Sequence, residues 1–307
     1  MRLIRQAKNP SSMKSKSLLF LLAILPSLSF AALDTAKIEA VTGLKGALNE
    51  AEGVFKVSAP RNDVKINVDG WQMPPFMGLT SWASFLPGKK EEAMVMGDLV
   101  LFQDEVNPVM SVALNAGLSV TALHNHFFYD EPKVYFMHIG GEGTADKLSA
   151  AVKAALDKTK EIRAVNPVPE KMFGKGFAPG ANSITSAPLE AEMGGKATAK
   201  DGMAKFVFGR VSKMPCGCEV GKEMGVNTWA AFAGTDESAV VDGDFCVLET
   251  ELQAVLKTLR DGGINIVAIH HHMIMEEPRY LFLHYWGKGN AVELAKTVKS
   301  AIGTQKK

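Results

Sequence analysis

The chain repeats itself, and the repeat carries every histidine it has. His124, His126, Glu131, Pro132 and His138 recur as His270, His272, Glu277, Pro278 and His284 at a constant offset of 146 residues. All seven histidines fall within 122–138 and 268–284. Imidazoles kept for incidental packing or solubility would be scattered, so their confinement asks for a local reason. The duplication reaches further. Met77 to Ala83 answers Met224 to Ala230, Gly97 and Asp98 answer Gly243 and Asp244, and Glu105 answers Glu251. Gly117 and Gly143 answer Gly263 and Gly289, and upstream the match thins to Lys56 and Arg61 against Lys205 and Arg210. Such a chain reads as two copies of one unit, over about 48–158 and 197–304. The corresponding domains are 32–160 and 201–307, joined over 161–200 by a Pro/Gly/Ser-rich stretch that reads as irregular.

Each histidine segment consists of two short apolar runs separated by an acidic, proline-containing break, the pattern of an antiparallel hairpin. A turn centred on Glu131 predicts that His124 opposes His138, and one centred on Glu277 that His270 opposes His284. Side chains alternate along a strand, so His124 and His126 share a face, and an opposed His138 shares it too. Opposed Cβ atoms lie about 4.5–5.5 Å apart, close enough for three imidazole nitrogens to meet one ion at about 2.0–2.1 Å. The expected ligands are therefore His124, His126 and His138 in one copy and His270, His272 and His284 in the other. The expected ion is a divalent transition metal, zinc first, with copper, nickel or iron(II) suited by the same donors. A one-residue slip in register would dissolve the set. The competing account is a group of sheet histidines hydrogen-bonded to their neighbours and retained from the duplication. His271, which stands where the first copy has Asn125, faces the other way.

Around the hairpin the order of elements is legible in both units. An apolar strand, 93–102 or 239–248, precedes a helix, 105–116 or 251–260, which stops at Gly117 or Gly262 and Gly263. The histidine hairpin follows, and then a helix with Leu148, Val152 and Leu156, or Leu294, Val298 and Ile302, at helical spacing. Strand, helix, hairpin, helix predicts α+β units: a tandem duplication of a ferredoxin-like β-α-β-β-α sandwich with pseudo-twofold packing. Phe127, Tyr135 and Met137 make the second sheet face as apolar as the first, so neither can be left fully wet. The favoured arrangement has helices on one face, the partner unit on the other and one histidine site per unit. The alternative brings both clusters into a central cleft.

The first 31 residues start basic, with Arg2, Arg5, Lys8, Lys14 and Lys16, and continue through an apolar run from Leu18 to Phe30. That run is shorter than a membrane span and ends in small residues at Ser29 and Ala31, which predicts a secretory signal peptide and no membrane span after its cleavage. Met13 is an alternative initiator, and an uncleaved anchor the alternative to cleavage. The expected location is periplasmic or secreted. Lys plus Arg number 34 against 33 acids, so no global field draws nucleic acid or anionic lipid. Cys216, Cys218 and Cys246 allow at most one bridge.

The strand from Gly97 to Leu101, the helix opening at Glu105 and the run Val120 to His126, followed by Glu131, Pro132 and His138, resemble the LppY/LpqO family of exported bacterial proteins. The resemblance covers nearly all of the chain after the leader. It implies an envelope or secreted location and no established activity. The family is named for lipoproteins, and this chain lacks the lipobox cysteine, so it is similar to the soluble exported members.

Three histidines and an open fourth position form the set that lowers the pKa of bound water to about 7, which makes metal-hydroxide chemistry available. Glu131 and Glu277 are the candidate catalytic residues, as general base or further ligand; an ordinary solvated turn acid is the plain alternative. Asp98 and Asp244 read as holders of a backbone bend, and Glu105 and Glu251 as acids serving a helix dipole. Cys216 and Cys218 with Met203, Met214 and Met224 suit copper(I), against a local disulfide and core methionines. The tryptophans suit sugar stacking or simple core packing. There is no phosphate loop, nucleophile elbow, HExxH or CxxC. Three functions follow: a periplasmic metal-binding protein, a metal-dependent hydrolase acting on an envelope glycan or peptide such as peptidoglycan, or a non-catalytic ligand-binding module.

Overall fold

A computed structural model describes residues 33–172 and 181–306. The leader reading falls on residues outside the described ones. Among the described residues no helix is long and apolar enough to cross a membrane.

The first repeat opens with helix α1 (Thr35–Thr42) and contributes strands β1 (Gly46–Asn49), β2 (Val54–Pro60), β3 (Thr80–Pro87) and β4 (Ala93–Phe102). Helix α2 (Val106–Asn115) leads to β5 (Ser119–His124), β6 (Val134–Gly143) and α3 (Ala145–Val165). The second repeat has α4 (Ser186–Met193), β7 (Thr198–Lys200), β8 (Met203–Gly209), β9 (Asn227–Gly234) and β10 (Ala239–Leu248). It ends with α5 (Leu252–Asp261), β11 (Asn265–His270), β12 (Tyr280–Gly289) and α6 (Ala291–Gly303). Helix α4 lies inside the stretch expected to be irregular. Its C-cap, Gly194, takes the left-handed conformation with φ 71°, and Leu189 and Met193 bury its inner side.

These strands form one 12-stranded antiparallel sheet in the order β1-β2-β3-β4-β6-β5-β11-β12-β10-β9-β8-β7. The order is palindromic by repeat, and the two halves meet edge to edge where Leu123 of β5 pairs with Ile269 of β11. This corrects the expectation that one unit would cover the other's sheet face: joining the β5 and β11 edges removes two exposed ladders at once. The helices pack on a single face over Leu99, Met137, Ile139 and their counterparts. The opposite face is dressed by local excursions. In the first repeat Ile66 and Leu79 close over Val100, Phe102, Val134 and Phe136. In the second, Val220 and Val226 close over Cys246, Tyr280 and Phe282.

The junction is held by reciprocal amide clamps. The pairing of β5 with β6 and of β11 with β12 shifts register between Val120 and Ala122 and between Ile266 and Ala268, a bulge that frees main-chain groups. Gln253 of α5 takes both of Val120's, accepting from its N–H at 2.9 Å and donating to its carbonyl at 2.8 Å. Asn107 of α2, the residue equivalent to Gln253, does the same for Ile266 at 2.7 and 3.0 Å. A primary amide can accept from the N–H and donate to the carbonyl of a single residue, which is why Asn and Gln serve here.

The faint upstream match has a structural cause as well. Arg61 donates to the fully buried Glu105 at 2.7 Å, and Arg210 donates to Glu251 at 2.5 Å. Each glutamate also accepts from a main-chain N–H, of Phe102 or Leu248, at 2.9 Å. Glu105 and Glu251 are thus buried anchors between strand and helix, a stronger constraint than the dipole role read from position alone.

Candidate functional site

Period-two alternation decides which residues reach the site. Leu123 and Ile269 point into the helix-side core, so His124 and His270, one residue on, emerge from the opposite face. His138 and His284 emerge from the same face of β6 and β12. The observed register pairs His138 with Ala122 and His124 with Phe136, and likewise His284 with Ala268 and His270 with Phe282. The sequence expectation of directly opposed histidines is therefore corrected by two residues. A two-residue shift preserves the face, so the imidazoles still meet, now on the diagonal.

In the first repeat the Nε2 atoms of His124 and His138 are 3.0 Å apart. His126 stacks beside His124 with ring centroids 5.2 Å apart and lies flat on Phe136 at 3.4 Å. The second repeat reproduces the group: His270 is 4.8 Å from His284 and 5.1 Å from His272 by centroid, and His272 lies on Phe282 at 3.6 Å. His271 stands apart, its Nδ1 3.1 Å from the Tyr280 carbonyl.

An aspartate lies on the strand beside each cluster, and it is not the acid expected. Asp98 is the cross-strand partner of His138, and Asp244 that of His284. One carboxylate oxygen, two imidazole nitrogens and their residues Asp244, His270 and His284 bring ligand atoms within 4.8 Å of one another. His272 Nε2 lies 3.3 Å from Asp244 Oδ2. The Oδ1 atoms of Asp98 and Asp244, and His270 Nε2, are buried with no hydrogen-bond partner in the structure. Buried polar atoms are nearly always satisfied; the other such orphans among the described residues are at Asp104, Arg163 and Glu276, and the second repeat brings two of them, Asp244 Oδ1 and His270 Nε2, into one group. His284 Nδ1 lies 3.4 Å from the Gly243 carbonyl, an orientation that leaves Nε2 for the cluster.

The glycine before each aspartate has a steric purpose. A Cβ on Gly243 would meet the Tyr285 ring and the Trp229 carbonyl, to which the Tyr285 hydroxyl donates at 2.9 Å. A Cβ on Gly97 would lie 2.7 Å from the Trp82 carbonyl. The Gly-Asp pair thus lets neighbouring strands close up while the following side chain turns to the histidines. Recurrence of Gly-Asp in both copies was the sequence signal available for Asp98 and Asp244.

Glu131 and Glu277 stand outside the clusters. Glu131 is exposed, pairs in a short strand with Asn67 and meets Lys171 Nζ at 3.2 Å. Glu277 is exposed, and its main chain exchanges hydrogen bonds of 2.8 and 2.9 Å with Lys213. Each follows the hairpin into an excursion instead of sitting at a simple tip, which carries its carboxylate away. Cys216 and Cys218 are exposed and unbridged, and Cys246 is buried and unbridged. Burial pushes the Cys246 thiol up to about 12, which leaves it inert.

Burial, first, and the neighbouring imidazoles hold His126 and His270 below the ordinary histidine value, and burial does the same to His272. Such a shift favours the neutral imidazole, the form that ligates metal. Burial raises the Asp244 carboxyl to about 6, against the pull of His284. Beside Asp244 and His272 opens a cavity of about 470 Å³ whose walls include Lys205, Lys222 and Trp229. Lys205 Nζ sits 4.2 Å over the Trp229 ring, and Lys56 repeats the contact on Trp82 at 4.4 Å.

Fold and site together define a duplicated α+β protein that presents a histidine cluster from each repeat on one sheet face, with Asp244 converging on His270 and His284 in the second. The chain belongs to the family described as Domain of Unknown Function (DUF1259), whose model matches residues 36–158 and again 187–304. No curated protein matches it. Among solved structures, a trimeric bacterial microcompartment shell protein, PduB, aligns over 83% of this chain and 89% of its own at 12% identity. Its TM-score of 0.21 carries no argument.

Proposed function

We propose that this protein binds a divalent transition metal ion in each repeat, through Asp98, His124 and His138 in the first and Asp244, His270 and His284 in the second. His126 and His272 are the adjacent fourth donors. The observation that carries the reading is the convergence of Asp244, His270 and His284 within 4.8 Å, with Asp244 Oδ1 and His270 Nε2 buried and unpaired. Two imidazoles and a carboxylate on one side of an ion suit zinc and equally iron(II), with copper as the next choice. The Gly-Asp-led strand and the His-Asn-His run support placing the chain with the LppY/LpqO proteins, and with that an exported, periplasmic or secreted setting. The β4-β6-β5 order, with α2 crossing between β4 and β5, supports a ferredoxin-like description of each half.

A metal-dependent hydrolase is the second reading, favoured by the cavity of about 470 Å³ next to Asp244 and His272. In that reading His272 is the group placed to take a proton, and Lys205 and Lys222 face an acidic envelope glycan or peptide. The first experiment is a titration of chelator-treated protein with zinc, read by calorimetry and elemental analysis. Two equivalents per chain are expected; failure to bind any of zinc, iron(II) or copper(II) overturns the assignment.

A further inference from the structure

We infer that Cys216 and Cys218 form a dithiol that exchanges with the disulfides of other molecules, a reaction independent of the metal assignment above.

Both cysteines sit at the tip of a hairpin in the excursion that closes over the second repeat's sheet face. Its two short strands, Ser212–Lys213 and Glu219–Val220, set Lys213 opposite Glu219, and Lys213 also bridges to Glu277. The first repeat builds the same hairpin. Asn67 pairs with Gln72 on one side and with Glu131, the counterpart of Glu277, on the other. There the connection is Val68-Asp69-Gly70-Trp71, with Asp69 and Gly70 at φ 53° and 79°, the tight turn that suits two antiparallel strands. In the second repeat the connection is Met214-Pro215-Cys216-Gly217-Cys218, one residue longer. The fold thus closes this hairpin without sulfur in one copy, so closure does not account for the thiols in the other.

The tip is held by its own main chain. Gly217 N–H donates to the Met214 carbonyl at 2.8 Å, and Met214 N–H donates to the Cys218 carbonyl at 2.9 Å. Pro215 occupies the first corner of that turn, and Gly217 leaves it in the left-handed conformation at φ 81°. Cys216 and Cys218 therefore flank Gly217, both exposed and unbridged. The Cys218 N–H donates to Cys216 Sγ at 3.4 Å, and the two thiols hydrogen-bond to each other. The bond from the Cys218 thiol, and then that from its N–H, hold the Cys216 thiol below its ordinary value, while the same thiol contact raises Cys218. Exchange is carried out by a thiolate, so this inequality assigns the parts: Cys216 attacks and Cys218 resolves. Cys246 is fully buried and takes no part. Among the described residues no third His, Cys, Asp or Glu joins the pair in a group that could hold a metal ion.

In the first step the Cys216 thiolate attacks one sulfur of a disulfide RS–SR′, forming the Cys216–SR bond and releasing R′S⁻. In the second the Cys218 sulfur attacks that of Cys216, closing the Cys216–Cys218 bridge and releasing RS⁻, while the Cys218 proton passes to R′S⁻. The protein dithiol is oxidised and the incoming disulfide is reduced to two thiols.

The test uses the full chain, reduced and treated with chelator so that no metal shields the thiols. Brief alkylation at neutral pH, mapped by mass spectrometry, is expected to label Cys216 at least about tenfold faster than Cys218 and to leave Cys246 unlabelled. Incubation with glutathione disulfide, and in a second arm with a disulfide-bonded peptide, is expected to produce the Cys216–Cys218 bridge, which reduced glutathione then opens. The arms distinguish a small partner from a polypeptide one. Cys218→Ser should trap the mixed disulfide on Cys216, and Cys216→Ser should accumulate at least about tenfold less adduct. Equal labelling of the two thiols, or exchange in neither arm, would overturn the inference. A bridge that reduced glutathione cannot open would overturn it too, leaving a structural staple.

Discussion

Leu123 pairs with Ile269, its own counterpart in the other repeat. Two equivalent residues facing each other in an antiparallel bridge place the local twofold axis between them, normal to the sheet. Every other relation across the junction then comes in twos, including the amide clamps of Asn107 and Gln253 and the flanking histidine clusters.

The clamps make the first prediction. Asn107→Ala leaves the N–H and carbonyl of Ile266 without partners, and Gln253→Ala does the same to Val120. Each substitution is expected to cost about 1–3 kcal/mol in urea denaturation of the metal-free protein. Asn107→Gln would test the fit, since the longer side chain must buckle to reach the same peptide.

Metal stoichiometry separates the ligand sets. His124→Ala and His270→Ala are each expected to lose about one equivalent of zinc, and Asp98→Asn and Asp244→Asn to weaken their sites about 10-fold or more. Glu131→Gln and Glu277→Gln should retain both equivalents. Elemental analysis after gel filtration reads all six variants.

Acidification should release metal late. Burial holds His126, His270 and His272 below the ordinary histidine value of 6.5, so protons compete with the ion only at lower pH than for a free imidazole. Zinc occupancy is therefore expected to persist through pH 6.5 and fall below it. Half-release at or above 6.5, measured by dialysis at stepped pH, would contradict this.

Asp244 works in the opposite direction for the metal-free fold. Its carboxyl is raised from 3.8 to about 6, so the folded state holds the proton more tightly than the unfolded chain. The stability it contributes is present at low pH and is lost as pH rises from about 4 to about 6. Asp244→Asn removes that penalty, and at pH 7 the metal-free variant is expected to be more stable than the parent by about 1–2 kcal/mol. Zinc should reverse the order, because the ion supplies the charge that the buried carboxylate lacks.

Gly243→Ala should fail for a steric reason. Its Cβ meets the Tyr285 ring and the Trp229 carbonyl, atoms fixed on two neighbouring strands. A loss of about 1–3 kcal/mol is expected, with weaker metal binding at the second site alone, because Asp244 is the next residue. Differential scanning calorimetry and zinc titration check the two parts separately.

Much of this protein can be read without coordinates. The elements around each hairpin, the helices at Val106 and Leu252 and the gathering of His124, His126 and His138 all follow from alternation and helical spacing. Periodicity reports which face a side chain takes, so a register wrong by two residues still put the histidines together. Glu131 was misplaced for the converse reason: an acid in a break between strands has no period, and here the chain leaves the hairpin to pair with Asn67. Asp98 and Asp244 were visible as repeated residues yet not as ligands, because their partners, His138 and His284, lie on strands 40 residues away.

By itself the sequence determined a duplicated α+β chain and the residues that turn toward one face of each hairpin, since local alternation and the 146-residue offset encode both. Only the tertiary structure decided that the halves join through β5 and β11 and that an aspartate lies across from His138 and from His284. Hydrogen bonds between distant strands are made by the main chain, which is alike at every residue, so the choice of neighbour depends on how the whole sheet and its helices pack.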